Sequence, residues 1–91
     1  MESRAHITIS GNVQGVGFRF FTSKQAQSLN LVGTVKNMPN GSVDILVEGD
    51  KSTIQTFIDH VRQGPRLADV NSVDIEWQEP QNEFNRFQII D

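Results

Sequence analysis

Between Gly11 and Arg19 the chain reads Gly-Asn-Val-Gln-Gly-Val-Gly-Phe-Arg, with three glycines inside seven residues and an arginine closing the run. Glycine reaches backbone angles barred to larger residues, and its missing side chain lets peptide N–H groups approach a ligand closely. A helix beginning at Phe18-Arg19 would add unsatisfied N–H groups carrying partial positive charge. The Arg19 guanidinium could then form a bidentate, charge-assisted pair with phosphate oxygens. Aimed at one point, these donors make a fixed cradle for a phosphate-sized anion or a transferring phosphoryl group. The simpler alternative is a tight strand-to-helix loop with Arg19 in solvent. The run is neither a Walker A loop, which ends Gly-Lys-Ser/Thr, nor a dinucleotide fingerprint, which needs Gly-x-Gly-x-x-Gly in a parallel βαβ unit.

A second set of residues follows at Gly33-Thr34-Val35-Lys36-Asn37, then Gly41-Ser42-Val43 and Gly49. The Asn37 amide can accept a hydrogen bond from water through its carbonyl and donate through its NH2, so it can hold a water without ionising. Taken alone, Asn37 would be a polar residue satisfying backbone groups at a strand end. Neither Gly11–Arg19 nor Gly33–Asn37 contains Asp, Glu, His or Cys. These stretches therefore offer no obvious general base or covalent nucleophile.

The other polar side chains carry less. His6 and His60 lie off the apolar faces and read as surface or half-buried residues, and two lone histidines make no metal site. Thr22, one helical turn after Phe18, is the best supporting residue behind the cradle, ahead of Ser10 and Ser23, although helix packing would also account for it. Asp59 and Asp69 read as solvated charge, Phe20 and Phe21 as core and rim packing, and Trp77 as core or sheet-face packing.

These residues need elements to position them. Ala5 to Ser10 alternates, with Ile7 and Ile9 on one face, as a strand does. Phe18, Phe21, Ala26 and Leu29 recur on one side of a helical period, and Asn30 suits a left-handed stop. Leu31 to Met38 reads as extended, Pro39-Asn40-Gly41-Ser42 as a turn, and Val43 to Glu48 as the returning strand of a hairpin. Asp50 is a good N-cap for a helix whose Ile54, Phe57, Ile58 and Val61 form one apolar stripe, stopped at Gly64-Pro65. Val70 to Trp77 is a further strand, and Phe87 to Ile90 adds a short edge strand. The order β-α-β-β-α-β predicts an α+β, ferredoxin-like sandwich: an antiparallel sheet, two helices on one face, and a short extra C-terminal strand.

At 91 residues the chain is expected to form one domain, 1–91, with a shallow and compact site. Its formal charge is −3, from eight Lys and Arg against eleven Asp and Glu. The basic residues are scattered singly, without the stripe that nucleic-acid binding uses, so no nucleic-acid partner is expected. An anion site in so acidic a chain must be local. The absence of cysteine removes disulfide scaffolds, thiolate nucleophiles and zinc-thiolate sites. No apolar run spans a membrane and no signal region opens the chain, so a cytoplasmic protein is the expectation.

The stretch Gly11 to Arg19 resembles the first signature of the acylphosphatase family, Gly-x-Val-Gln-Gly-Val-x-Phe-Arg. Gly33, Val35, Lys36, Asn37, Gly41, Val43 and Gly49 match its second motif. The Gly64-Pro65 stop, the Val73 to Trp77 strand and the Phe87-Gln88-Ile89 tail are similar as well, so the resemblance spans nearly the whole chain. Two departures stand out. Thr34 replaces the family's usual aromatic residue, which bears on local packing or on contact with the acyl part of the substrate. Asn12 replaces a basic residue.

The resemblance implies hydrolysis of a carboxyl–phosphate anhydride to carboxylate and phosphate, by a monomer acting on a small acyl phosphate without metal or cofactor. It places phosphate binding on Arg19 and on the loop Val13, Gln14, Gly15, Val16, Gly17 and Phe18, with Asn37 orienting the water. Such a substrate already carries a good leaving group, so positioning and charge stabilisation can supply most of the catalysis. The alternative is a non-catalytic phosphate- or effector-binding module of the same fold, since fold does not fix function. RNA binding through sheet aromatics is disfavoured, because Val43 to Glu48 has none. A carbamoyl-phosphate-handling domain of a larger enzyme is a third reading.

Overall fold

A computed structural model describes residues 1–91. The elements run β1 (Glu2–Asn12), α1 (Phe18–Ser28), β2 (Val32–Asn37), β3 (Val43–Asp50), α2 (Lys51–Gln63), β4 (Asp69–Gln78) and β5 (Phe87–Ile89). They form a five-stranded sheet in the order β4-β1-β3-β2-β5. Ala5, Ile7 and Ile9 of β1 meet Val43, Ile45 and Val47 of β3 on the face covered by the helices, and all six are fully buried. From α2, Ile54, Phe57, Ile58 and Val61 press onto that face. Burial of each is worth roughly 1.5–3 kcal/mol, which fixes the helix despite its polar outer surface. Phe18 and Ala26 of α1 complete the core.

The local signals that predicted these elements have identifiable causes. The Asp50 carboxylate accepts from the Ser52 N–H and caps α2. Asn30 takes a left-handed φ of 58° just after α1, as expected of the stop. The ferredoxin-like order is present, with one difference in the sheet. β5 pairs with β2 in parallel, Gly33 beside Phe87 and Val35 beside Ile89, so the sheet is mixed rather than wholly antiparallel.

The topology explains that difference. β4 ends where β1 begins, with Gln78 opposite Arg4, and β2 begins in the same row, with Val32 opposite Glu48. The chain leaving β4 therefore crosses the sheet along that row and enters β5 in the direction of β2. The same arrangement decides between core and sheet-face packing for Trp77. It lies on the helix-side face but on the edge strand, 38% exposed, with the Lys51 ammonium 4.9 Å from its ring centroid. It is a peripheral cation–π partner rather than part of the core.

The crossing segment, residues 79–86, is tied down by charge. Arg4 and Glu48 lie on the face away from the helices, yet only 6% and 3% of their surfaces are exposed. Arg4 Nη1 donates to Glu48 Oε2 at 2.8 Å and to Glu83 Oε1 at 2.7 Å, and its Nε donates to Gln78 Oε1 at 3.0 Å. Glu48 also accepts from the backbone N–H groups of Gln81 and Asn82, at 2.8 and 3.1 Å. The Phe84 ring covers the guanidinium, 5.4 Å from centroid to Cζ. Alternation along β3 placed Glu48 on the polar face; its burial comes from the segment folded over it.

Burial alone would push the Glu48 carboxyl up, but hydrogen bonds from Gln81, Arg4 and Asn82 outweigh it and hold the group below its ordinary value of 4.5. A carboxylate held lower in the folded than in the unfolded chain stabilises fully above about pH 4.5, and that stabilisation is lost as pH falls through the folded value. Glu48→Gln should lower the unfolding free energy at pH 7 by about 3 kcal/mol, because it leaves Arg4 buried without its main counter-charge. Urea denaturation should show the gap from wild type narrowing at pH 3. A gap equally wide at both pH values would contradict this account.

Candidate active site

β1 and β2 both run antiparallel to β3, so they run in the same direction and end at the same edge of the sheet. The loop after β1 and Asn37, the last residue of β2, are thereby brought together. β5, parallel to β2, carries Ile89 to the same end. A depression of about 190 Å³ opens there, lined by Val13, Gly15, Gly17, Phe18, Arg19, Phe20, Asn37 and Ile89. Drug-sized ligands occupy pockets of roughly 300–1,000 Å³. This one suits a smaller group.

The glycines make the loop. Gly11 sits at a register shift between β1 and β4, and any Cβ there would strike the Asp69 carbonyl. Gly15 and Gly17 have φ values of 75° and 80°, with open space where a Cβ would be, so they are required for conformation alone. Gly17 stands at the N-cap of α1 and supplies no side-chain cap. No backbone N–H from Gly15 to Phe20 has an acceptor within the protein. Six consecutive donors are thus unpaired at the positive end of a helix, and Gly15, Gly17, Phe18, Arg19 and Phe20 among them line the pocket. The Arg19 guanidinium is likewise in no ion pair with a carboxylate.

Asn37 is held by its pairing with Val43 at the neck of the β2–β3 hairpin. The hairpin turn is closed by hydrogen bonds. Met38 N–H donates to the Ser42 carbonyl at 2.8 Å, and Asn40 Oδ1 accepts from Ser42 N–H at 3.0 Å and from Ser42 Oγ at 2.7 Å. Asn37 Oδ1 is buried and has no hydrogen-bond partner. A buried acceptor left free in this way costs about 1–3 kcal/mol. The residue itself lines the same pocket as Arg19, so its side-chain amide stands where a bound group would be met.

Gln14 does something the sequence did not reveal. Its Nε2 donates to the carbonyls of Met38 and Ser42, at 2.8 and 2.9 Å. The glycine loop and the turn carrying Asn37 are thus bolted together, and Gln14 is not among the pocket-lining residues. Val16 is half-buried and packs against the core. Thr22 is fully buried under α1 with its hydroxyl unpartnered, and it does not line the pocket. Ser23 is buried and its Oγ accepts from Gln27.

Thr34 stands opposite Leu46 and Gln88 on the sheet face away from the helices, outside the pocket, so its departure concerns packing and not contact with a bound group. His6 bonds Asp44 Oδ1 at 2.6 Å, half-buried on the outer face, and His60 bonds Gln25 in an exposed position. Phe21 packs against Phe18, at 6.3 Å between centroids, whereas Phe20 is 65% exposed at the pocket rim. Ile89 joins the pocket through the parallel pairing of β5, which strand alternation in so short a tail could not show. The structure gathers no group of three or more His, Cys, Asp or Glu residues able to hold a metal ion.

Comparison with known proteins places these features in a wider set. The family model described as acylphosphatase matches residues 5–89. The chain is 45% identical to an acylphosphatase of Thermococcus kodakarensis over 78 residues, 86% of each chain. It is 45% identical to an acylphosphatase of Geotalea uraniireducens over 89 residues, 98% of each. Among solved structures, the acylphosphatase from Bacillus subtilis superposes with a TM-score of 0.94 over 99% of each chain, at 34% identity.

The Gln14 bridge yields a test independent of turnover. Gln14→Ala frees the loop from the hairpin turn and should weaken binding of inorganic phosphate about tenfold, or about 1.4 kcal/mol. Titration followed by calorimetry or amide chemical shifts would measure it. Unaltered phosphate affinity would mean that the glycine backbone holds its shape without the bridge.

Proposed function

The chain belongs to the acylphosphatase family, and from that premise we propose that Arg19 and the loop Val13–Phe18 bind the phosphoryl group while Asn37 positions the attacking water. The protein is an enzyme, an acylphosphatase, which hydrolyses the anhydride between a carboxylic acid and phosphoric acid. The binding-only alternative is not favoured, given curated acylphosphatases matched at such identity and coverage. One observation carries the residue assignment. Arg19, which is in no ion pair, Asn37, and glycine-loop residues whose backbone N–H groups have no acceptor in the protein line a single small pocket.

The chemistry follows from those groups. The guanidinium and loop N–H groups meet the phosphoryl oxygens and stabilise the charge that develops on them in the transition state. The Asn37 side-chain amide hydrogen-bonds the water and turns a lone pair of the water oxygen towards phosphorus. The new P–O bond forms as the bond to the acyl oxygen breaks, and the carboxylate departs with the electron pair. A phosphoryl oxygen takes the proton that the water gives up, so no side-chain base is needed. The rest of the reading is a single-domain cytoplasmic monomer with a small-molecule substrate and no nucleic-acid partner, metal or cofactor. The net charge of −3 without a basic stripe supports the nucleic-acid part of that reading.

Hydrolysis of benzoyl phosphate, followed by ultraviolet absorbance with a chelator present, tests the assignment. Arg19→Ala should lower kcat/KM about a thousandfold, and Asn37→Ala should lower kcat by about 3 kcal/mol, the scale of a lost oxyanion donor. Asn37→Ala within a few-fold of wild type would remove the water-positioning role.

The pH profile gives a second test. No pocket-lining residue is Asp, Glu, His, Lys, Cys or Tyr. Between about pH 5.5 and 8, kcat should therefore follow only the ionisation of the substrate phosphate, with no enzyme group imposing a bell. A profile that follows a protein side chain, and vanishes when one is replaced, would reveal a base this pocket does not contain.

A further inference from the structure

Phe20 and Ile89 are two large apolar side chains left in solvent, 65% and 43% exposed, and both line the pocket that holds Arg19 and Asn37. They come from opposite ends of the chain, the first turn of α1 and the β5 edge strand, and meet at one rim. Neither belongs to the buried core. Exposed apolar surface that converges on a ligand site marks what the ligand brings. Phe20 is also held in place: the Lys24 ammonium, one helical turn on, lies 5.8 Å from its ring centroid.

Resting on the phosphoryl assignment above, we propose that Phe20 and Ile89 form an apolar seat for the acyl group and set a preference for aromatic or branched acyl phosphates over acetyl phosphate. Gly15, Gly17 and Arg19, which hold the phosphoryl group, share one pocket of about 190 Å³ with Phe20 and Ile89. The acyl carbon is joined to phosphorus through a single oxygen. It therefore lies within reach of Phe20 and Ile89, where a methyl group covers little of the apolar surface and a phenyl ring covers much more. The departing carboxylate keeps that contact in the transition state, so the preference appears in kcat/KM.

The experiment compares kcat/KM for benzoyl and acetyl phosphate in the full chain, in Phe20→Ala and in Ile89→Ala. The wild-type chain should favour benzoyl phosphate. Phe20→Ala should cut the benzoyl-to-acetyl ratio about tenfold, the effect of returning about 55 Å² of apolar surface to water. Ile89→Ala should cut it about threefold, and it decides the matter if the first variant does not fold. Phe20→Leu, which restores part of the apolar surface, should recover part of the ratio. A ratio within twofold of wild type, or an equal fall for both substrates, would overturn the apolar seat. A wild-type chain that hydrolyses neither substrate would overturn the proposed function instead, so the two failures are distinguishable.

Discussion

The parallel course of β1, β2 and β5, enforced by their arrangement around the antiparallel β3, governs where every functional group can stand. Strands running the same way finish at the same edge of a sheet. The glycine loop leaves β1 there, Asn37 closes β2 there, and Ile89 lies near the end of β5 there. Hydrogen bonding between strands fixes those positions to within a fraction of the spacing between neighbouring chains, about 4.8 Å. A site assembled from strand ends inherits that rigidity without further effort from its own side chains.

Two polar devices hold the remaining freedom in check, one at each end of the sheet. At the far end, Arg4 and Glu48 anchor the segment that carries the chain from β4 across to β5, and so determine that β5 arrives beside β2 at all. At the near end, Gln14 ties the loop to the hairpin turn. A buried ion pair is often no better than a well-packed apolar substitute, because both charges must be desolvated. Here the pair also accepts two backbone N–H groups of an irregular segment, which would otherwise have no partner, and that gives the pair a topological role beyond its own energy.

The fold was legible in the chain because its signals agreed with one another. The apolar stripe of α2, the Asp50 cap, the Asn30 stop and the alternation of β1 and β3 each pointed to the same sandwich. The glycine run stood out by residue type and spacing, whereas Asn37 taken alone read as a strand-end polar residue and drew its proposed role from the motif around it. Less could be read where the cause was tertiary. Glu48 follows the polar phase of its strand and gives no sign that a distant segment will bury it. Gln14 reads as one more loop residue until the turn carbonyls are placed beside it. The parallel direction of β5 follows from strand order, which a three-residue tail cannot declare.

The site asks little of acid–base chemistry and much of geometry, and the reason lies in its substrate class. An anhydride between a carboxylic acid and phosphoric acid expels a weakly basic carboxylate, so no proton need be delivered to the leaving group. What limits its hydrolysis is the gathering of charge on phosphoryl oxygens and the order imposed on one water. In the proposed mechanism, backbone N–H groups, a guanidinium and an amide supply both without changing ionisation state. A small domain can hold such groups, because none needs the deep desolvated enclosure that tuning a carboxyl or imidazole pKa demands. The shallow pocket is therefore adequate to the task, and the apolar side chains at its rim are free to choose among acyl groups.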